Sequence, residues 1–505
     1  MRIPQSLKLI FLLVLSISST FVFGTEPLKM TFEEALQITL QNNFQMKQAG
    51  HHLLQMEQEM KAAHGLHFPK ISLNAGYNLM EDRLHFDLTP VQDALVPLYQ
   101  TLGNYGVFSG VPNPDPATNG KLPVFPDNIS TQLVRQKMLG GLDQVKSAEW
   151  DITIQEKQFG TLSAGIIWPL FTGGKIKAAN KAAKINYESV GLENIQKSYE
   201  LTNELVERYF GRVLAIQAMN VRKDVKATME KHFSDAGKLH EQGQIAQVEL
   251  LNSKLNLADS EREYQKSVSQ NDMLNEALLN TLAEKNSLFI EPLSGLFYLD
   301  TLESVDYFYQ TALQKSPLIA QVNKKKELAN EGYKAEKSGQ YPIVALTGMY
   351  DIANKDLSPF LPEYMIGIGL KWNLFEGMSQ NRKIKAMNYK KSQADDYSQK
   401  VSSDIHSAIK KYYQEINMYR EQLRMLDASA ELANEYFRAR NKAFNEGMAT
   451  SSQVADASLF LAKSRIDKLQ AMYGYDLSLS KLLYYAGLTD QFVDYMKRAE
   501  IHAID

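Results

Sequence analysis

Much of this chain is written twice, and that duplication limits its architecture more than any other feature. The phrase "WPLFTGGK" starts at Trp168 and "WNLFEGMS" at Trp372, 204 residues later. "EQGQIAQVELLNSKLNLADSE" and "NEGMATSSQVADASLFLAKSR" keep the same offset, which pairs Gly243 with Gly447. Upstream, "HFPKISLNAGY" ending at Tyr77 matches "QYPIVALTGMY" ending at Tyr350 at an offset of 273. The two offsets differ by 69 residues, so the first copy carries an insertion of about that size between Tyr77 and Trp168. A fold built from two similar halves follows. The Gly-Gly-Lys of the first phrase is not a phosphate loop. Pro169 stands where the first glycine belongs, Ile176 follows the lysine, and the second copy has no Gly-Lys.

Within each half the hydrophobic period changes once. Ile71, Leu73, Ala75, Tyr77 and Leu79 alternate with small or polar residues, as do Leu162, Ala164, Ile166, Trp168 and Leu170. In the second half Val344, Leu346, Gly348, Tyr350 and Ile352 form one such set, and Tyr364, Ile366, Ile368, Leu370 and Trp372 another. Period two predicts four strands. Alternation of this kind fits lipid on one side and water on the other, or equally a sheet packed on a soluble core. Tyr77, Trp168, Tyr350 and Trp372, placed near predicted strand ends, favour a membrane interface. Four strands do not close a barrel. Two copies give eight and a side-chain-filled interior, whereas three give twelve and a lumen.

The remainder reads as helix. No proline occurs from Leu170 to Glu291 or after Glu363. Leu192, Ile195, Tyr199, Thr202, Val206, Tyr209, Val213 and Ile216 recur at three- and four-residue steps, a seam for side-by-side packing. A helix from Lys175 to about Lys238 is roughly 95 Å long. Seven of the 16 prolines lie between Pro90 and Pro126 and predict a long irregular loop with one or two short helices, such as Leu95 to Leu102.

The divisions expected are therefore a leader at 1–24, a first repeat at 25–290, a second repeat at 291–488 and a tail at 489–505. The first repeat holds a helix, paired strands at about 70–80 and 160–171 around an insertion at 81–149, and a helical hairpin at 175–285. The second holds a helix, a β-hairpin at 343–375 and a helical hairpin at 378–487. Arg2 and Lys8, the apolar run from Leu9 to Val22, and small Val22 and Gly24 read as a cleaved secretory signal. No cysteine is present, which removes disulfides, thiolate metal sites, thiol nucleophiles and a lipid-modified N-terminal cysteine. A formal net charge of −3 gives no reason to expect nucleic acid as a partner. No enzyme motif or cofactor signature occurs, and His64 and His67 lack the third ligand that zinc needs.

The order and doubling of these parts resemble the TolC-like outer membrane factor family. The resemblance rests on "TFEEALQITLQNNFQMKQA", its counterpart "FYQTALQKSPLIAQ", the two "WxLFxG" phrases and the two Gly-centred helical turns. It implies an α+β membrane protein, internally duplicated, with a long antiparallel α-helical coiled-coil tunnel. Four strands per protomer would contribute to a 12-stranded barrel in a homotrimer. The barrel would sit in the outer membrane of a Gram-negative bacterium, in contact with its lipid, with the tunnel in the periplasm. The implied partners are a periplasmic adaptor and an inner-membrane pump or exporter, the exported cargo being small molecules or proteins.

By the same resemblance, Gly243, Gln244, Ile245, Gly447, Met448 and Ala449 are the helical tips that dock the adaptor. Asp456, Glu249 and Gln453 would line the constriction. The family often has two Asp three residues apart after the second turn; here Gln453 replaces the first and Asp456 keeps the second. Ala449 stands where some members carry a basic gating residue. The alternative reading is a soluble periplasmic coiled-coil scaffold or adaptor, which accounts for the helices and leader but not for duplicated strands.

Overall fold

The computed structural model describes residues 27–105, 129–284 and 289–499. The expected leader, the centre of the insertion and the last six residues lie outside that range. Two compact units emerge, and each draws on both sequence repeats.

One unit is built on a four-stranded antiparallel sheet of β2 (Lys70–Leu79), β5 (Gln158–Phe171), β7 (Ile343–Lys355) and β8 (Tyr364–Lys371), in the order β2-β5-β7-β8. Cross-strand partners share a face, so the register shows which residues act together. Leu73 pairs with Ala164, Ala164 with Tyr350 and Tyr350 with Tyr364. Ile71 pairs with Ile166, Ile166 with Gly348 and Gly348 with Ile366. Between the two bulges of the β5–β7 pair, at Leu162/Ser163 and Pro169/Phe171, the apolar sets of all four strands thus share one face. It is uncovered in the protomer, with Ile71 77% and Ile366 70% exposed. The other face carries Ser72, Asn74, Ser163, Thr161 and Thr347.

Both described ends of the insertion are regular, and one of them contains the short helix expected at Leu95 to Leu102. A two-stranded ladder of β3 (Leu84–Asp87) and β4 (Asp151–Gln155) closes its base, followed inward by helices α3 (Thr89–Tyr105) and α4 (Ile129–Ser147). Asp151 pairs with both Arg83 and His85 across this ladder. Gln155 then ties it to the loop after β7, donating to the Asp356 carbonyl at 2.7 Å and accepting from the Ser358 N–H at 2.8 Å. The β3–β4 ladder is the part that proline content cannot announce, because it pairs two short strands separated by more than sixty residues.

The other unit is helical. α5 (Lys175–Glu241) and α6 (Gln247–Leu282) form one hairpin, and α9 (Ser379–Asn445) and α10 (Ser451–Ala486) the other. Each leading helix has 67 residues and each returning helix 36, so a leading helix is roughly 100 Å long. The shorter elements are α1 (Phe32–Asn42), α2 (Phe44–His64), α7 (Val305–Lys315) and α8 (Pro317–Lys337). The seam on α5 is buried at Thr202, Val206, Tyr209 and Val213, half-buried at Leu192, Tyr199 and Ile216, and exposed at Ile195.

The core gathers around one aromatic cluster of Phe32, Tyr209, Phe210, Phe297 and Phe492, with ring centroids 5.3–6.1 Å apart. A parallel pair absent from the sequence reading, β1 (Leu28–Met30) with β6 (Ile290–Pro292), is fastened to it. The Tyr209 hydroxyl donates to the Met30 carbonyl at 2.7 Å. Buried Arg212 donates to the carbonyls of Ile290 and Asn271, both at 2.8 Å. From Thr489 to Arg498 the expected tail is helical and packed. α11 (Phe492–Arg498) buries Phe492, Val493 and Tyr495, and Arg498 pairs with Glu303 at 2.8 Å.

Glycines end the helices in two contrasting settings. Gly487 has φ +73°, and a β-carbon there would lie 2.6 Å from the Lys315 carbonyl carbon. Gly447 has φ +71° in open space. Gly447→Ala should cost about 1 kcal/mol from backbone conformation alone. Gly487→Ala should cost about 1–3 kcal/mol more by overpacking against backbone. Thermal unfolding of the two variants measures the difference, and equal losses would count against the Gly487 packing.

Candidate functional site: the paired helical turns and the strand-end tryptophans

The two turns are built alike. After α5, Gly243 takes a left-handed conformation; its N–H donates to His240 and that of Gln244 to Leu239. After α9, Gly447 and Met448 bond to Phe444 and Ala443 in the same pattern. This Schellman arrangement satisfies the last carbonyls of each helix and needs a residue at ease with positive φ. Of the six residues expected at the tips, Gly243, Gln244, Gly447 and Met448 are exposed, Met448 at 70%. Ile245 and Ala449 turn inward, onto a small core of Ala236, Phe444 and Val454.

The residues expected at a constriction divide in the same way. α10 begins with a capping box. Thr450 Oγ1 accepts from the Gln453 N–H, and the Gln453 side chain accepts from the Thr450 N–H at 3.1 Å. Gln453 is therefore spent on its own helix. Glu249, in the first turn of α6, accepts the Ser451 N–H of α10 at 2.8 Å. One carboxylate thereby serves the positive ends of two helices and links the hairpins. Asp456, one turn beyond Gln453, is exposed to solvent.

Sequence reasoning missed His232. Its ring lies 2.7 Å from Ser451 Oγ and packs on Phe444 with centroids 4.4 Å apart. It is only 4% exposed. The linkage at the turns therefore runs from His232 through Ser451 to Glu249. The "TSSQ" at Thr450 announces a capping box in the sequence; nothing local announces a histidine from 219 residues upstream.

At the strand ends the two tryptophans do the same job in each repeat. Trp168 Nε1 donates to the His67 carbonyl at 3.0 Å, and Trp372 Nε1 to the Gln340 carbonyl at 3.1 Å. Both acceptors lie in short 3-10 turns just before Pro69 and Pro342. Each indole thus ties the exit of its repeat's second strand to the entry of the first. Tyr77 donates to Gln158 Oε1 at 2.9 Å. Tyr350 lies inside β7 rather than at its end, but pairs with Tyr364, the first residue of β8.

Burial pushes the His232 imidazole below its ordinary value, against the opposing pull of Asp235 and Glu249. The fold therefore favours the neutral ring. Its contribution is complete above the ordinary value of about 6.5 and is lost as pH falls from there through the lowered folded value. Amide protection factors in the two turns should stay level above pH 7 and drop in the acid range, and His232→Asn should flatten that drop. An identical acid-induced loss in the variant would remove His232 as its cause.

Comparison with known proteins adds the relatives. Residues 308–488 match the model of a family described as outer membrane efflux protein. No curated protein matches by sequence. Among solved structures, the CmeC outer membrane channel of Campylobacter jejuni is similar, with a TM-score of 0.66, 13% identity, and 93% of this chain and 90% of that one covered. The outer membrane protein VceC of Vibrio cholerae also gives a TM-score of 0.66 at 13% identity, over 90% of this chain and 96% of its own. The open state of the Neisseria gonorrhoeae MtrE outer membrane channel gives 0.66 at 11%, over 91% and 89%. By sequence over residues 308–488 and by fold over some nine-tenths of its length, the chain resembles the outer membrane efflux protein family.

Proposed function

We propose that this chain is one protomer of a trimeric channel-tunnel in the outer membrane, the exit duct of a tripartite efflux or type I secretion system. The observation that carries the reading is the four-stranded sheet. One face of it is largely apolar and uncovered, and among the described residues β2 and β8 each leave an edge unpaired. Such a surface suits hydrocarbon, yet unpaired edges are not tolerated there. Three protomers joined edge to edge give twelve strands, a closed ladder and a lumen.

The likeness to outer membrane channels supports the same reading, and no described helix is long and apolar enough to cross a membrane. A soluble scaffold would leave the apolar sheet face without an occupant. The exposed tip residues Gly243, Gln244, Gly447 and Met448 would meet a periplasmic adaptor, which in turn would sit on an inner-membrane pump or exporter. The 81–149 insertion would lie on the outer side of the membrane.

At the tips, Asp456 is the carboxylate left for the lumen once Gln453 and Glu249 are engaged. Three-fold symmetry would make it a ring of three charges, which favours cations at a narrow neck. In a planar lipid bilayer under a salt gradient, Asp456→Asn should move the reversal potential toward zero, away from cation preference. An unchanged reversal potential would show that Asp456 does not line the neck.

A further inference from the structure

The two longest helices begin in the same way. α5 carries Lys175, Lys177, Lys181 and Lys184, with no acidic residue before Glu188. α9 carries Arg382, Lys383, Lys385, Lys390 and Lys391, with none before Asp395. A helix N-terminus is positive, so cations there are unfavourable and acids are favoured. Some helices of this chain do place acids there: α1 opens with Glu33 and Glu34, α6 with Glu249 and α7 with Asp306, whereas α2, α8 and α10 place none in the first turn. Helix stability therefore does not account for the basic runs, and neither does a chain of net charge −3.

The two helix starts border one groove together with α8. Ala178 and Ala182 of α5, Ala329 and Gly332 of α8, and Met387 and Ala394 of α9 line one groove. Packing is close enough that a β-carbon on Gly332 would meet the Met387 methyl at 2.6 Å. Small residues thus bring the helices together and leave the long basic side chains pointing outward. Lys177, Lys181, Lys184, Arg382, Lys383, Lys385 and Lys390 are all exposed. Lys184 reaches Glu188 only at 3.8 Å. Along the chain, Lys177 comes six residues after Phe171, the last of β5. Arg382 follows Leu374, Phe375 and Met378, which are 79%, 80% and 58% exposed. Exposed apolar residues followed within two helical turns by exposed cations are what a membrane surface with anionic headgroups accepts.

We infer that Lys177, Lys181, Lys184, Arg382, Lys383, Lys385 and Lys390 form a basic collar that binds the phosphates of anionic phospholipid headgroups in the periplasmic leaflet. This rests on the membrane placement proposed above. The collar holds the membrane at a fixed level along the helices and gives the protomer a preference among lipids.

The test uses the full chain, extracted in neutral detergent and offered equal amounts of phosphatidylglycerol and phosphatidylcholine with matched acyl chains. Native mass spectrometry counts the lipids retained. The wild type should retain phosphatidylglycerol at least about threefold over phosphatidylcholine, less so as salt rises. In the sextuple variant K177Q/K181Q/K184Q/R382Q/K383Q/K385Q the ratio should fall to about one, while R438Q/K442Q, of altered charge elsewhere, should keep the wild-type ratio. Unchanged far-ultraviolet circular dichroism of the sextuple variant excludes misfolding. Equal retention of the two lipids by the wild type, or a preference surviving in the sextuple variant, overturns the collar. Displacement of phosphatidylglycerol by inorganic phosphate at equal concentration also overturns it, since the site would then be one for free anions. Recovery of the wild type in the soluble fraction, with no membrane-bound protein, would instead defeat the channel reading.

Discussion

The unpaired edges of one four-stranded sheet set the terms for everything else in this molecule. Backbone N–H and C=O groups on β2 and β8 must find partners, and among the described residues no further strand is hydrogen-bonded there. In water such edges would invite aggregation; in hydrocarbon they are prohibitive. The apolar face that runs through Leu73, Ala164, Tyr350 and Tyr364 makes the second case the relevant one. On the proposed reading an oligomer is part of the fold, because copies of the same sheet would finish it.

The helical unit meets a different requirement, that of holding very long helices in register. Hydrophobic burial does this in the middle, where Tyr209, Phe210 and Phe297 anchor the cluster. At the turns the buried apolar surface thins to a few residues around Ala236, Phe444 and Val454. There polar links take over, in the Glu249 carboxylate across to Ser451 and the His232 ring beside it. Specific, titratable contacts thus sit where packing is weakest.

The sequence announced some of this more plainly than the rest. Strand alternation and proline-free stretches are local signals, repeated in both halves, and the cross-strand register groups the same apolar residues onto one face. The Trp168 and Trp372 phrases were visible as a repeat, but their hydrogen bonds to His67 and Gln340 were not, because a carbonyl acceptor has no sequence signature. The β1–β6 ladder joins residues some 260 apart through three-residue strands too short to show a period. The capping box of Gln453 is legible in the spacing Thr450-x-x-Gln453, beside the constriction role that the family resemblance implies for it. Asp456 keeps an exposed carboxylate, and nothing within one protomer defines a lumen.

The central claim is that the sheet is completed by two further copies. Light scattering on the detergent-extracted particle from purified outer membranes, with the detergent mass separated out, counts protomers directly. The account predicts three chains of 57.2 kDa before any leader is removed. A monomer, or a dimer whose eight strands would leave no lumen, would contradict it.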